Sequence, residues 1–235
     1  MTDSEPLSHH PLSMEPVESA ARAPEPGPLE GRWTRLEPVD PARHGADLYR
    51  LSHSPESGPE LWDYLGYGPF ENEPAMTAWL EGCAASHDPL FHVIYDAQAR
   101  PAGMSSFLRI DPKNGAIEMG HIWFAPCLQG TREATEAMFL MMKHALGTLA
   151  FRRLEWKCNA LNEASRRSAR RLGFAYEGTF HRHMIVKGRN RDTAWYALLA
   201  EEWAPVEEAF ETWLAAENFD PEGRQFRPLQ TGRSR

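Results

Sequence analysis

Apolar positions recur along this chain with two periods, and the switches between them lay out its elements. Gly31 to Pro38 (GRWTRLEP) alternates as a first strand, with Trp33 and Arg35 on one side. Asp40 followed by Pro41 reads as the N-cap and first position of a short helix that carries Leu48 and Leu51 on its apolar face. Met76, Trp79, Leu80 and Cys83 fall at helical spacing and predict a second helix over 73–85. Period two then takes over: Leu90 to Tyr95 and Pro101 to Ile110 are strands with a hairpin-length connection. The turn Asp111-Pro112-Lys113-Asn114-Gly115 leads into a strand from Ala116 to Phe124. From Thr131 to Ala150 the pattern is helical and apolar nearly all round its middle, Ala137 to Met142, which predicts a buried helix. A short strand at Arg153 to Cys158 precedes a helix over Asn162 to Leu172, stopped by Gly173 in the left-handed cap position. Ala175 to Val186 and Thr193 to Leu199 form a strand pair around the polar turn 187–191, and a closing helix runs from Pro205 to Glu217. The order is an antiparallel meander, then strand–helix–strand–helix, then a second strand pair. It predicts an α/β fold with a central mixed, mostly antiparallel sheet flanked by helices.

Composition narrows this picture. At 235 residues and 42% hydrophobic content the chain can bury one sizeable core but hardly two. Residues 1–30, rich in Pro, Glu, Ser and Ala, read as a disordered lead-in rather than a secretory signal. The domain is expected over 31–219, with a loosely held tail at 220–235. No apolar run approaches the roughly 20 residues that a membrane-spanning helix needs. Cys83, Cys127 and Cys158 are scattered, odd in number and without metal-ligand spacing, which favours a cytoplasmic protein with neither a disulfide framework nor a metal. The net charge of −8 hides an asymmetry: residues 129–191 hold 13 Lys and Arg against 5 Asp and Glu. A basic segment in an acidic chain points to a local anionic ligand more than to a nucleic-acid surface. The competing reading is arginines that merely solvate helix faces.

Chemistry concentrates between Glu118 and Met138 (EMGHIWFAPCLQGTREATEAM). A strand here runs through a short loop containing Gly130 directly into the buried helix. Such a helix start leaves backbone N–H groups unpaired at the positive end of the helix dipole, where a pyrophosphate can accept them. Gly130 permits close backbone approach, and the Thr131 and Thr135 hydroxyls are further donors. A second segment, Asn159-Ala-Leu-Asn162-Glu-Ala-Ser165, leaves a strand and opens a helix, with Asn162 placed as its N-cap. Read by themselves, both segments are also compatible with plain turns and caps.

Together with RLGFAYEGTFHRH and GRNRDTAWYALL, these segments keep an order and spacing that resembles the GCN5-related N-acetyltransferases. The nearest branch is the one that includes the ribosomal-protein alanine acetyltransferases, and the likeness covers roughly residues 31–204. It implies a sheet splayed at an acetyl-CoA site, with acetyl-CoA as acyl donor and an amine, either a protein N-terminus or a small molecule, as acceptor. The family's phosphate loop reads Gln or Arg, two residues, Gly, one residue, then Gly or Ala. Here the aligned stretch is Cys127-Leu128-Gln129-Gly130-Thr131-Arg132, where Gly130 matches while Cys127 and Arg132 depart.

By this likeness Gln129, Gly130, Thr131, Arg132, Glu133, Ala134 and Thr135 hold the pyrophosphate, and the backbone of Ile122, Trp123 and Phe124 pairs with the pantetheine arm as an added strand would. Asn162 and Ser165 contact the donor beyond its pyrophosphate, and Ser165 protonates the departing thiolate. Glu118 is the candidate general base, since an ammonium must lose a proton before it can attack a thioester. Strand alternation places Glu118 with Gly120 and Ile122 on one face, opposite Met119 and His121. The alternative for Glu118 is a strand carboxylate paired with a nearby cation. Of Arg166, Arg167, Arg170 and Arg171, one or two are expected to reach the donor's terminal phosphate. His181 and His183 read as structural. The aromatic loop Trp62 to Phe70 is the candidate acceptor wall, or else a packed connection. Against the enzyme reading stand a non-catalytic acyl-CoA sensor, favoured by the altered phosphate loop, and, more remotely, nucleic-acid binding through the arginine-rich helix.

Overall fold

The computed structural model of the chain describes residues 18–232. Eight strands form one sheet in the order β1-β2-β3-β4-β5-β6-β8-β7. They are β1 (Leu29–Glu30), β2 (Arg35–Pro38), β3 (Leu90–Tyr95), β4 (Pro101–Asp111), β5 (Ala116–Phe124), β6 (Arg153–Asn159), β7 (Ala175–Val186) and β8 (Arg189–Leu199). Every neighbouring pair is antiparallel except β5 and β6, which run parallel because the long helix α3 carries the chain back across the sheet between them. Among the described residues the α-helices are α1 (Pro41–Ser52), α2 (Glu73–Ala84), α3 (Arg132–Lys143), α4 (Glu163–Arg171) and α5 (Trp203–Leu214).

Each face of the sheet has its own core. One is built around α3, with Ala137, Met138, Met141 and Met142 packed on Ile117, Met119, Leu154 and Trp156, and with Phe210 of α5 closing it. The other gathers α1, α2 and the aromatic loop: Leu48, Met76, Leu80 and the fully buried Trp62 against Val93, Met104 and Trp123. The helix starts are set by side-chain caps. Asp40 accepts the N–H groups of Ala42 and Arg43, Asn72 that of Ala75, Thr131 that of Ala134 and Asn162 that of Ser165.

Several predicted elements differ in extent. The strand expected over 31–38 begins only at Arg35. The preceding turn is held by buried Glu136, whose carboxylate accepts the N–H groups of Arg32, Trp33 and Thr34 at 2.6–2.8 Å. Trp33 therefore lies in a turn, not on a strand face. The long helix gives way at His144 to a π-helical turn, His144–Thr148. The last strand starts at Arg189 rather than Thr193, so the connection is the two-residue turn Lys187-Gly188, and the closing helix begins two residues before Pro205.

At the amino end, the lead-in reading for 1–17 lies outside the described residues. Residues 18–30 run along the body, where the Arg22 N–H donates to Leu149 O and β1 pairs with β2. At the other end, residues 220–232 fold back on α5. Trp213 Nε1 donates to Gln225 Oε1 at 2.8 Å, and Leu229 is buried in the first core.

Candidate active site

The parallel pairing of β5 with β6 stops early. Ala116 to Met119 pair with Arg153 to Trp156, after which β5 continues to Phe124 and β6 to Asn159 without pairing to each other. The two strands splay, and the gap opens a cleft of about 1240 Å³ through the middle of the sheet. The start of α3 closes one end of this cleft, and the start of α4 forms a side wall. The aromatic loop and the β7–β8 hairpin cover the other end.

Most of the predicted residues meet here. Glu118, Ile122, Trp123, Phe124, Gln129, Gly130, Thr131, Ala134, Thr135, Asn162 and Ser165 all line the cleft. Gly130 has φ +73°, the left-handed region, and a Cβ built on it would meet nothing within 4 Å, so its backbone faces open space. Thr131 Oγ1 accepts the Ala134 N–H and donates to Leu128 O, and Thr135 Oγ1 donates to Thr131 O. Both hydroxyl protons expected for a ligand are therefore used within the helix start, and the donors left there are first-turn backbone N–H groups of α3.

Two predicted residues do not reach the cleft. The Arg132 guanidinium lies 3.7 Å above the Trp33 ring and pairs with buried Glu133 at 3.0 Å. Both side chains fall on the core side of the helix start, where cation–π contact and burial hold them. The positive charges at the cleft come instead from α4. Arg167 and Arg171, one helical turn apart, line it, and Arg171 Nη1 donates to Thr135 Oγ1 at 3.1 Å. Arg166 is tied to Tyr196, Ala160 and Glu163.

On the opposite side the strand alternation assumed for β5 is broken. Met104 pairs with Trp123 and Ser106 with Gly120, so His121 and Ile122 stand opposite Ser105 alone, and His121 takes φ +53°. This β-bulge reverses the alternation. Ile122 joins Met119 on the α3 face, while His121 joins Glu118 on the other, contrary to the assignment from sequence. There His121 stacks on Tyr67, with ring centroids 5.7 Å apart, and lies edge-on to Phe91. Burial first, then the charge of Arg109, pushes its pKa down to about 4, so the imidazole is neutral near pH 7.

Glu118 is 4% exposed and holds two cations on one oxygen, Arg109 Nη1 at 2.6 Å and Lys157 Nζ at 2.9 Å. Lys157 is buried, bridges on to Glu155 at 2.6 Å and lies 4.0 Å above the Trp195 ring. Arg109 is half-exposed on its side chain. Gly120 keeps the floor beside this carboxylate open, since a Cβ there would come within 2.9 Å of Leu108.

Ser165 sits between the two sides. Its Oγ accepts from Trp156 Nε1 at 3.0 Å, its N–H is capped by Asn162, and its hydroxyl has the Cys158 sulfur as a hydrogen-bond neighbour. The aromatic loop is locked over the site by Lys187, whose Nζ donates to Trp62 O at 2.9 Å and to Gly68 O at 2.7 Å. Of the two hairpin histidines, His183 lines the cleft and bonds Thr193 Oγ1, while His181 is exposed and pairs with Asp192. Among the described residues no group of His, Cys, Asp and Glu could hold a metal ion, and no helix is long and apolar enough to cross a membrane.

Sequence reasoning did not find Arg109, Lys157 or Arg191 in this site. The available signal for Lys157 was its period-two relation to Glu155 on β6. Arg191 had none, because it reaches the cleft from a strand distant in sequence from the others, and Arg109, though only 9 residues before Glu118, is placed beside it by the irregular register of the β4–β5 hairpin.

The sequence model of the Acetyltransferase (GNAT) domain matches residues 35–175. Among solved structures, a GCN5-related N-acetyltransferase from Brucella melitensis superposes with a TM-score of 0.87 at 41% identity, covering 90% of this chain and 96% of that one. A protein of Chromobacterium violaceum, described as a probable GNAT-family acetyltransferase, gives 0.75 at 39% identity, with 85% and 99% covered. The acetyl transferase of Salmonella typhimurium that modifies the N-terminal serine of ribosomal protein L7/L12 shares the fold, with a TM-score of 0.64 at 23% identity over 74% of this chain and 99% of that one. No curated protein matches the chain in sequence. With its family domain matched over more than half its length and its splayed mixed sheet in place, the chain belongs to the GNAT acetyltransferase family.

Proposed function

We propose that this protein transfers the acetyl group of acetyl-CoA to an amine, a protein N-terminus or a small molecule, by direct attack without an acyl-enzyme intermediate. The observation that carries this reading is the cleft itself. It brings an open, positively polarised helix start, a splayed strand edge and a buried carboxylate into one continuous space. Family membership supplies the donor: GNAT proteins use acetyl-CoA, and the features here fit it. Gly130 and the start of α3, with Arg167 and Arg171 beside them, suit a pyrophosphate and a terminal phosphate. The strand edge at Ile122 to Phe124 is free to accept an extended amide-bearing arm.

The thioester supplies an activated acyl carbon. The amine nitrogen attacks it, the C–N bond forms, the C–S bond breaks, and the thiolate needs a proton. Glu118 removes the proton from the incoming ammonium, directly or through a water. Because Glu118 is already paired, the ammonium must take the place of one cation. Arg109 is the one that can swing to solvent, whereas Lys157 is buried. A backbone N–H at the bulge of residues 121–122, out of register with β4, is suited to the developing oxyanion. The Ser165 hydroxyl gives its proton to the sulfur and is restored by the second proton, which the nitrogen loses as the amide forms.

The RimL enzyme of the same fold, described as an acetyltransferase of the L7/L12 α-amino group, keeps a protein N-terminus among the acceptors to be tried. The test is release of free thiol from acetyl-CoA with a panel of peptide N-termini and small amines. Amine-dependent release supports the enzyme. Tight acetyl-CoA binding with no release from any amine would instead make the chain an acyl-CoA sensor.

A further inference from the structure

One side chain in the cleft has no work in the scheme above. Arg191 of β8 lies on the same sheet face as Lys157, lines the cleft, and has Glu118, Arg109 and Cys158 as its charged or polarisable neighbours. It forms no ion pair, and its buried Nε has no hydrogen-bond partner among the described residues. A guanidinium in this position is costly, since it is half-buried, faces another cation and leaves a donor unmet.

The surrounding charges do not satisfy it. Glu118 is taken by Arg109 and Lys157, Glu155 by Lys157 and Arg153, and Glu177 by Arg153. Four cations thus face three carboxylates, with Arg191 left over. The nearest other acids on the cleft, Glu56 and Glu60, are solvent-exposed on its outer rim. Asp192 is turned to His181 and the Arg182 N–H.

We infer that the acceptor is an amine that also carries a carboxylate, and that Arg191 is its specificity-determining anchor. This rests on the acetyl-transfer reading, because it assigns the acceptor end of the same cleft. A single uncompensated positive charge matches a monoanion, and the planar guanidinium fork matches a carboxylate in two-point contact. The site also works as a pair of exchanges. When the acceptor's ammonium displaces Arg109 from Glu118 toward solvent, its carboxylate meets Arg191, so both charges that enter the cleft find a partner. An amine without a carboxylate would leave Arg191 unpaired. The Lys187 latch and the aromatic loop screen this end from water, which strengthens the pairing. The carboxylate can belong to a free amino acid or to an acidic side chain at a peptide N-terminus.

The experiment compares matched acceptors that differ only in that group. The pairs are free alanine against alaninamide, and short amidated peptides beginning with Asp or Glu against the same peptides beginning with Asn or Gln. Thiol release gives kcat/KM, and calorimetry on the CoA-loaded protein gives acceptor affinity independently of turnover. The carboxylate member of a pair is expected to be favoured at least tenfold. That preference should vanish in Arg191→Gln and return in part in Arg191→Lys, while acetyl-CoA affinity stays within twofold. The free and peptide arms tell which source of the carboxylate is used. Equal affinity and rate across the pairs, or an Arg191→Gln variant that loses acetyl-CoA and acceptor alike, would overturn the assignment while leaving acetyl transfer intact. Failure of acetyl-CoA to bind the parent protein would remove the transferase reading, and the calorimetric comparison of pairs on the unliganded protein would still decide the anchor.

Discussion

The two ends of the cleft are built on opposite plans. The helix-start end is a contiguous run, Gln129 to Thr135, whose useful groups are backbone N–H donors fixed by one glycine and one threonine cap. The opposite end is assembled from side chains on separate segments: Tyr64 and Tyr67 from the loop, Arg109 from β4, Glu118 from β5, Lys157 from β6 and Arg191 from β8. A site made of backbone tolerates most side-chain changes nearby but not a change in the path of the chain. A site made of paired side chains is sensitive at every member, because each removal leaves a buried charge without its partner. The difference suits a fixed donor at one end and a variable acceptor at the other.

The most damaging test of the backbone end is Gly130→Glu. A carboxylate projected from a left-handed position into the proposed pyrophosphate site combines repulsion with backbone strain, and acetyl-CoA affinity should fall at least about 1000-fold, measured by calorimetry. The melting temperature should change little, since a Cβ there meets nothing within 4 Å. Gly130→Asn, which tolerates positive φ, should lose far less. Equal loss in both would show that the geometry of the turn, rather than charge, is what matters.

At the side-chain end, Glu118→Gln should lower kcat by at least about 100-fold with acetyl-CoA affinity intact, as expected when a positioned base is removed. Raising the pH should partly rescue the variant, because more of the acceptor arrives deprotonated. A fall in stability without a selective rate defect would make Glu118 a structural partner of Arg109 and Lys157. Turnover within threefold of the parent across pH 6 to 9 would remove Glu118 as the base.

A third test separates the cleft from the sheet behind it. His92 is buried, and burial pushes its pKa down to about 4. An unfolded histidine protonates near pH 6.5, so between these values the unfolded chain binds more protons. This contribution is therefore full above about pH 6.5 and is lost as the pH falls toward 4. From pH 7 to pH 4.5 urea denaturation should show a loss of about 2.5 kcal/mol from His92 alone, absent in His92→Phe relative to its own value at pH 7. His121 is depressed in the same direction, so its charge state should contribute no inflection to the rate between pH 5 and 8.

The smallest effect is expected for Arg132→Ala, which removes a cation–π contact on Trp33 and an ion pair with Glu133. Stability should fall by about 1 kcal/mol, read from the denaturation midpoint, with acetyl-CoA affinity unchanged. A selective loss of acetyl-CoA affinity would return Arg132 to the phosphate site.

Local information in the chain was sufficient for the backbone path at the helix-start end. Asp40, Asn162 and Gly173 mark helix limits through caps that act over three or four residues, and Gly130 before an amphipathic-to-buried helix marks an anion-sized opening for the same reason. The order of the elements, with a single helix crossover between β5 and β6, likewise follows from periodicity and spacing. What the sequence did not carry was anything decided across the sheet. The parity of β5 depends on a bulge that forms only when Met104 and Ser106 fix its register, and that bulge moves His121 to the Glu118 face and Ile122 away from it. Arg132 looked like a phosphate ligand by position, yet the turn held by Glu136 brings Trp33 beneath it and turns it inward. Arg109, Lys157 and Arg191 are unremarkable in their own segments and become one charged chamber only where three strands meet. Short-range hydrogen bonds and apolar periodicity are written in neighbouring residues. Strand register, cation stacking and charge balance are set by partners tens of residues away, and only the folded sheet fixes them.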